Sequence, residues 1–519
     1  MITVSVAFPI LFAILFRTIT YFDIGIKQSY EDLIFLIGVV SPLPIFGFYM
    51  LDLPTGTVLG GWTRISGIEV GVDHINFFFL LATFIIFPIV AFYSWDHFDD
   101  SIDEKSGGVS RESKFCLMLL LYGSLIGTFI TRDLFNFTVY LEIASLSAIV
   151  LVGSSDTKGS KLASFRYLML YLLSSFFFIF SVGLIYAKTG YLNFSLIEAN
   201  LVMDTEIKVA ITIAFVALMM KAGIFPLHFW LPDAHSKADT PVSALLSGLS
   251  VKAPIFGMVL FLNYTFIEFL AFPLMVISFG SIFFGIGMGL YQSEAKKLLA
   301  YSTVSQMGFV LLCISTLNIF VTGVYVLAHA LVKAALFLGV GVILKEQKKK
   351  YLAELCYKNR ELLMTTIILL SLAIGGISPF LGGYAKKMLG DILAKEILLL
   401  FYIGSIGTLT LMTRLNYKLF MGSNKRRQRF NLKSILPLAL AMVSLGFGIY
   451  YKPKFSILDI AFIVIAIGTF FIMKYLRILD REFLSHLKIN KRSLPEQINF
   501  YTMVFVMLNI LLISFVLYI

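Results

Sequence analysis

Charge is what this 519-residue chain has least of. Asp, Glu, Lys and Arg together make up 14% of it, against 58% hydrophobic residues. So small a charged share excludes an ordinary soluble domain and a disordered chain, and points to an integral membrane protein. Cysteine is scarce as well. Cys116, Cys313 and Cys356 stand far apart and form no CxxC, haem-attachment, iron–sulfur or zinc spacing. Of six histidines, His228 and His235 are seven apart with no third ligand at useful spacing, so no metal site is expected. Phosphate-loop, GxSxG, nucleotide-fingerprint and quinone-site signatures are missing too. The chain is therefore expected to bind no cofactor and to carry out no redox chemistry of its own. Its net charge of +11 fits loop lysine and arginine that set membrane orientation better than it fits nucleic acid.

What fills the sequence instead is long apolar runs. They predict sixteen spans, at 2–21, 33–51, 75–95, 114–131, 133–153, 163–188, 208–227, 240–263, 269–290, 298–316, 318–343, 362–383, 392–420, 432–451, 455–475 and 499–519. Basic clusters fall in alternate loops: Lys158/Lys161/Arg166, Lys296/Lys297, Lys348 to Lys350 with Lys358 and Arg360, Arg426/Arg427/Arg429, and Lys474 to Arg492. The positive-inside rule then places both termini on the outer side. No small-residue cleavage site follows the first run, so 2–21 is expected as a retained helix. The Gly-rich loop 52–74 suits a short outer hairpin. The mixed segment 474–498 suits an amphipathic helix on the cytoplasmic surface, against lipid or a neighbouring subunit.

A few charges lie inside these apolar runs, where each costs at least about 2.5–3.5 kcal/mol and marks an ion path more often than a structural need. Glu142 stands nine residues past Asp133, about 13 Å along a helix. Lys221 and Lys252 are its natural partners, since a buried carboxylate needs a cation or a proton. His329 and Lys333, one turn apart, share a helix face with Tyr325 a turn earlier. Lys386 follows the Gly/Pro-rich stretch LSLAIGGISPFLGGYAKK, with Lys387 an adjacent alternative. His228 and His235 flank WLPDAH at a membrane edge as a possible gate.

Pro226 and Pro379 each interrupt an apolar segment beside a lysine, because proline removes a backbone hydrogen bond and breaks a helix. They occur in two successive five-span blocks, 114–263 and 269–420. Interrupted helices at matching places in two halves are the sequence sign of an inverted-repeat transporter. The resulting organisation is 1–113 with the GGW loop, the two repeats, and 432–519 with the linker 474–498.

KAGIFPLHFWLPDAHSKADTPVSALLSGLSVK, EAKKLLAYSTVSQMGF, HALVKAALF, DLFNFTVYLE and LGGWTRISGIEVGVD together resemble one family. It comprises the antiporter-like subunits of respiratory complex I, the large subunits of Mrp-type sodium/proton antiporters, and their counterparts in archaeal membrane-bound hydrogenase and sulfane-sulfur reductase complexes. The resemblance runs from about Leu59 to Lys418. It implies an all-α polytopic core of about fourteen helices, here followed by about two extra ones.

It also implies proton translocation along Glu142, Lys221, Lys252, His329, Lys333 and Lys386, the last facing an outer exit. The implied setting is a redox-driven complex in a prokaryotic plasma membrane, with other membrane subunits, hydrophilic iron–sulfur subunits and lipid as partners. The alternatives are a subunit of a stand-alone Mrp-type antiporter and a non-conducting scaffold. Six intact buried charges argue against the scaffold. Tyr325 stands where some members carry a histidine, Pro254 and Leu260 replace residues common elsewhere, and Ser378 and Gly383 alter the second break. None of these changes removes a core charge.

Overall fold

The computed structural model describes residues 2–22, 28–50, 53–95, 97–98, 109–155, 157–265, 267–357, 360–422, 432–451, 455–480 and 493–518. In chain order these form α1 (Ile2–Tyr21), α2 (Gln28–Val40), α3 (Pro42–Met50), strands β1 (Thr55–Val58) and β2 (Glu69–Val72), α4 (Phe77–Ser94), α5 (Arg111–Ile130), α6 (Leu134–Gly153), α7 (Ser160–Thr189), α8 (Phe194–Asn200) and α9 (Thr205–Ala222). There follow α10 (Trp230–Lys237), α11 (Thr240–Leu245), a π-turn (Leu246–Ser250), α12 (Lys252–Tyr264), α13 (Glu268–Tyr291), α14 (Ala295–Ser315) and α15 (Ile319–Gln347). The chain continues as α16 (Glu361–Gly375), α17 (Leu381–Ile392), α18 (Lys395–Met421), α19 (Ile435–Tyr450), α20 (Ile457–Tyr475) and α21 (Leu494–Tyr518). The protein is an all-helical polytopic membrane protein. Among the described residues, 13 helices are long and apolar enough to cross a membrane, and α16 and α19 are shorter apolar helices.

The helices pack into two compact units. One comprises Met1–Ala222, Lys237–Leu270 and Val504–Ile519; the other comprises Gly223–Ser236 with Ala271–Met503. In the first, α5 packs against α1 and α6, and α7 against α9. Side-chain caps start these helices: Ser110 Oγ accepts from the Ser113 amide, and Asp133 from that of Asn136. The buried Arg111 ties α5 to α2 through Asp32 at 2.6 Å. Residues 55–72 form the expected hairpin, in antiparallel register from Thr55↔Val72 to Val58↔Glu69. Its turn holds Gly60 and Gly61 at φ +69°, a conformation that side chains resist. The hairpin is fastened to the α5–α6 junction by the Glu69 carbonyl, which accepts from the Arg132 amide, and Arg132 in turn pairs with Asp73 at 2.7 Å.

In the second unit the core is α14 and α15, both almost wholly buried across their apolar windows. An apolar helix buried all round lies inside a bundle rather than against lipid. Around it pack α16, α17 and α19, while α18 holds α20. The last helix contributes to each unit: Tyr501 stacks on Phe229 at 4.2 Å in the second, and Phe505 meets Phe177 at 4.9 Å in the first.

Two expected spans end early. Helix stops at Ala222 rather than 227, and at Gly375 rather than 383, because Gly223 (φ +69°) and Gly376 (φ +89°) take the left-handed conformation that closes a helix. Of the linker 474–498, residues 481–492 lie outside the described residues. So do Lys358 and Arg426, Arg427 and Arg429 of the basic clusters.

Candidate functional site

The first unit holds an ion pair inside its membrane helices. Glu142 of α6 and Lys221, in the last turn of α9, meet at 2.9 Å, with the lysine side chain wholly buried and the carboxylate 23% exposed. Ser175 of α7 completes a triangle: its hydroxyl accepts from Lys221 Nζ at 2.7 Å and donates to Glu142 Oε1 at 2.7 Å. Lys221 Nζ also lies 3.2 Å from the centroid of the Tyr171 ring, which favours the ammonium through the ring quadrupole. Tyr171 is itself held by Ser145 and the Leu141 carbonyl.

The other lysine named beside Glu142 has a carbonyl partner on its own stretch of chain. Lys252, buried at the start of α12, donates to the Ser247 carbonyl within the π-turn. The extra residue of a π-turn loosens the i→i−4 ladder, so a carbonyl there can turn to a side chain. Sequence periodicity carries no signal for it.

In the second unit Lys333 is fully buried on α15 and donates to the Leu299 carbonyl at 2.9 Å and to Ser302 Oγ at 2.5 Å. His329 is buried one turn earlier. Tyr325 donates to Gln306 Oε1 at 2.9 Å, and the Gln306 amide reaches Thr408 Oγ1 at 3.4 Å. Gln306 and Thr408 were not foreseen, because uncharged polar residues in an apolar run are usually satisfied locally.

At the second break the two neighbouring lysines part. Lys386 is 5% exposed, donates to the Gly375 carbonyl at 3.0 Å and lies 4.6 Å over the Phe309 ring. Lys387 is exposed. Lys386 also lines two separate spaces. One is a gap of about 10 Å³ shared with Gln306, Tyr325 and His329, room for a single water. The other is a cavity of about 250 Å³, reached also by Lys387, Asp391 and Asp459.

The two possible gate histidines separate. His228 sits in the broken stretch among Phe229, Phe284 and Phe225, with ring centroids at 4.9, 4.6 and 5.7 Å. His235 of α10 stacks on Phe337 at 4.8 Å, one turn from Lys333 on α15. Pro226 and Pro379 both lie in the non-helical stretches, each preceded three residues earlier by the left-handed glycine. Among the described residues no group of three or more His, Cys, Asp or Glu side chains is placed to hold a metal.

Comparison with known proteins shows the family and the fold. The family profile described as NADH:quinone oxidoreductase/Mrp antiporter, transmembrane, matches residues 131–413, over half of the chain. The chain belongs to this family. It is 31% identical over 345 residues to NADH-quinone oxidoreductase subunit N of Desulforudis audaxviator, covering 63% of this chain and 67% of that one. It is 27% identical over 413 residues to the D-type subunit of the Na(+)/H(+) antiporter of Bacillus subtilis, covering 75% and 82%. Among solved structures, a chain of the membrane-bound sulfane sulfur reductase, an archaeal respiratory membrane complex, superimposes with a TM-score of 0.78 at 23% identity over 87% of this chain and 95% of that one. A chain of the Mrp complex from Dietzia does so with 0.74 at 21% identity over 92% and 98%. At such identities these two speak for the fold alone. The family expected from the motifs is the one found, and its matched stretch contains Glu142, Lys221, Lys252, His329, Lys333 and Lys386.

Proposed function

We propose that this chain moves protons through the membrane along Glu142, Lys221 and Lys252 in one unit and His329, Lys333 and Lys386 in the other, as a subunit of a multi-subunit complex driven by redox chemistry in partner subunits. The observation that carries the reading is the Glu142–Lys221–Ser175 triangle. A pair of charges placed in membrane helices and braced by a hydroxyl and a ring serves stability poorly, since an apolar pair of the same size would do at least as well. It serves charge movement well: the proton of Lys221 has an acceptor at 2.9 Å and a hydroxyl at 2.7 Å within proton-transfer reach.

The matching construction at Gly223–Pro226 and Gly376–Pro379 supports reading 114–263 and 269–420 as inverted repeats. Partner membrane subunits, hydrophilic iron–sulfur subunits, a plasma-membrane location and both termini outside complete the reading. The quinone oxidoreductase relative favours redox drive. The Bacillus subtilis antiporter relative, which this chain matches over a greater length, favours the second reading, a subunit of an Mrp-type sodium/proton antiporter.

The test is purification of the native complex in mild detergent, identification of its partners by mass, and recording of iron–sulfur absorbance. Iron–sulfur subunits with proton uptake on addition of electron donor support the first reading. A set of purely membrane-embedded partners that exchanges sodium for protons supports the second. Transport unchanged in both Glu142→Gln and Lys221→Ala refutes the two together.

A further inference from the structure

The outer end of the proposed path is built in part by a helix beyond the family's matched residues. The cavity of about 250 Å³ beside Lys386 is lined by α17, α18 and α20, and its volume holds several waters. Its titratable groups are Lys386, Lys387 and Asp391 on α17, Tyr402 on α18 and Asp459 on α20. Lys387 and Asp391 are exposed, one turn apart. Lys386 is buried at the inner wall, and among the described residues no carboxylate pairs with it at salt-bridge distance. It is the one residue shared with the narrow gap that holds His329. Asp459 is 9% exposed, and its Oδ2 accepts from the Ser456 amide at 2.8 Å and lies 3.3 Å from the Ser456 hydroxyl.

We propose that Asp459 is the proton acceptor on the outer side of Lys386, and that α20 completes the exit channel. The proposal rests on Lys386 being the last lysine of the path. In the step, the N–H bond of the Lys386 ammonium breaks, a proton passes through cavity water, and an O–H bond forms on the Asp459 carboxylate. The neutral amine stays behind, to be reloaded from the His329 side. Asp459 then releases the proton to the water at the mouth, between Lys387 and Asp391. A carboxylate facing a buried ammonium across water lowers the energy of the proton on leaving, and the mouth carboxylate of Asp391 continues the same gradient of charge. Position 459 lies outside the residues matched by the family profile, 131–413.

Asp459 also closes a capping box with Ser456 at the start of α20, and the experiment separates the two roles. Proton transport is measured in vesicles carrying the whole complex and normalised to assembled complex. Asp459→Asn keeps an acceptor oxygen for the cap but cannot take a proton. It should slow transport about tenfold or more, while Asp459→Glu and Ser456→Ala stay close to wild type. If Asp459→Asn and Ser456→Ala both lower the amount of complex and leave transport per complex unchanged, Asp459 is a cap and the proposal fails. If Lys386→Met stops transport while Asp459→Asn does not, the exit lies elsewhere although the path stands. If Lys386→Met transports normally, the path itself is wrong.

A second measurement does not depend on altering Asp459. Leu458 lines the same cavity and is 59% exposed, and the three native cysteines are buried. Leu458→Cys should transport normally until a bulky thiol reagent is attached and then stop. Full labelling without loss overturns the exit.

Discussion

Glu142→Gln separates a charge-moving pair from a structural one. The substitution keeps size and an acceptor oxygen for Ser175, but it leaves the Lys221 ammonium without its carboxylate at 2.9 Å. At an effective dielectric near 20 that pair attracts by roughly 6 kcal/mol before desolvation. Measured losses on removing one partner of a buried pair run to about 3–5 kcal/mol. A rate that needs the charged lysine should therefore fall by about two to four orders of magnitude. The double variant Glu142→Gln/Lys221→Met has no stranded charge and fills the lysine's space with an apolar chain. It should regain most of the thermal stability lost by the single variant and none of the transport. Transport is followed with a pH-sensitive dye in vesicles, and stability by the temperature at which the detergent-solubilised complex loses its chromatographic peak. Equal stability of wild type and Glu142→Gln, with transport intact, would refute the argument from charge burial.

Other perturbations test other parts of the chain. Lys333→Ala should abolish transport while Ser302→Ala, which leaves the Leu299 carbonyl as acceptor, should slow it less than tenfold; equal effects would make the hydroxyl an essential carrier. Lys387→Met should transport within about twofold of wild type where Lys386→Met does not, because only the buried charge is costly to strand. Arg111→Ala removes the partner of Asp32 in the first unit and should lower the melting temperature without changing transport per assembled complex. The Ile207 amide, and then Lys188, hold the Asp204 carboxyl below the usual carboxylate range. Its contribution to stability is present above the unfolded-state value near 4 and disappears as pH falls through the lower folded-state value. Asp204→Asn should therefore lose stability at neutral pH and match wild type in strong acid, with melting temperature as the measure.

The helical plan was legible because its cause is local and repeated: about twenty apolar residues, a polar break, and twenty more. The same rule misplaced the ends of the spans at Ala222 and Gly375, since a hydropathy run cannot see that one glycine turns left-handed. Charged site residues were legible for a related reason, as each stands within an apolar run. What surrounds them was not. Ser175, Tyr171 and Gln306 look like ordinary helix residues until folding brings α6, α7 and α9, or α14 and α15, together. Asp459 was not singled out in the sequence, and in the structure it closes a capping box with Ser456. Only the cavity shared with Lys386 gives it a second meaning.

The lysines differ in what receives their protons. Lys221 meets a carboxylate, whereas Lys252, Lys333 and Lys386 donate to the carbonyls of Ser247, Leu299 and Gly375. A carbonyl dipole offsets part of the cost of a buried ammonium but carries no charge, so it binds the proton-loaded lysine without fixing it there. Two of these carbonyls come from places where the helical ladder is disturbed: the π-turn supplies Ser247, and Gly375 is the last residue of α16, whose carbonyl lies at the negative end of the helix dipole. The breaks thus do more than let water in. They free acceptors that let a lysine sit charged in the membrane and still lose its proton. Restoring the ladder should therefore hold the path shut even with every lysine present. Gly376→Ala is the sharpest case. The residue sits at φ +89°, and an added Cβ would collide with the Lys386 side chain. Transport should be lost although no charge has been touched, and normal transport in an assembled Gly376→Ala complex would show that the break is only scaffolding.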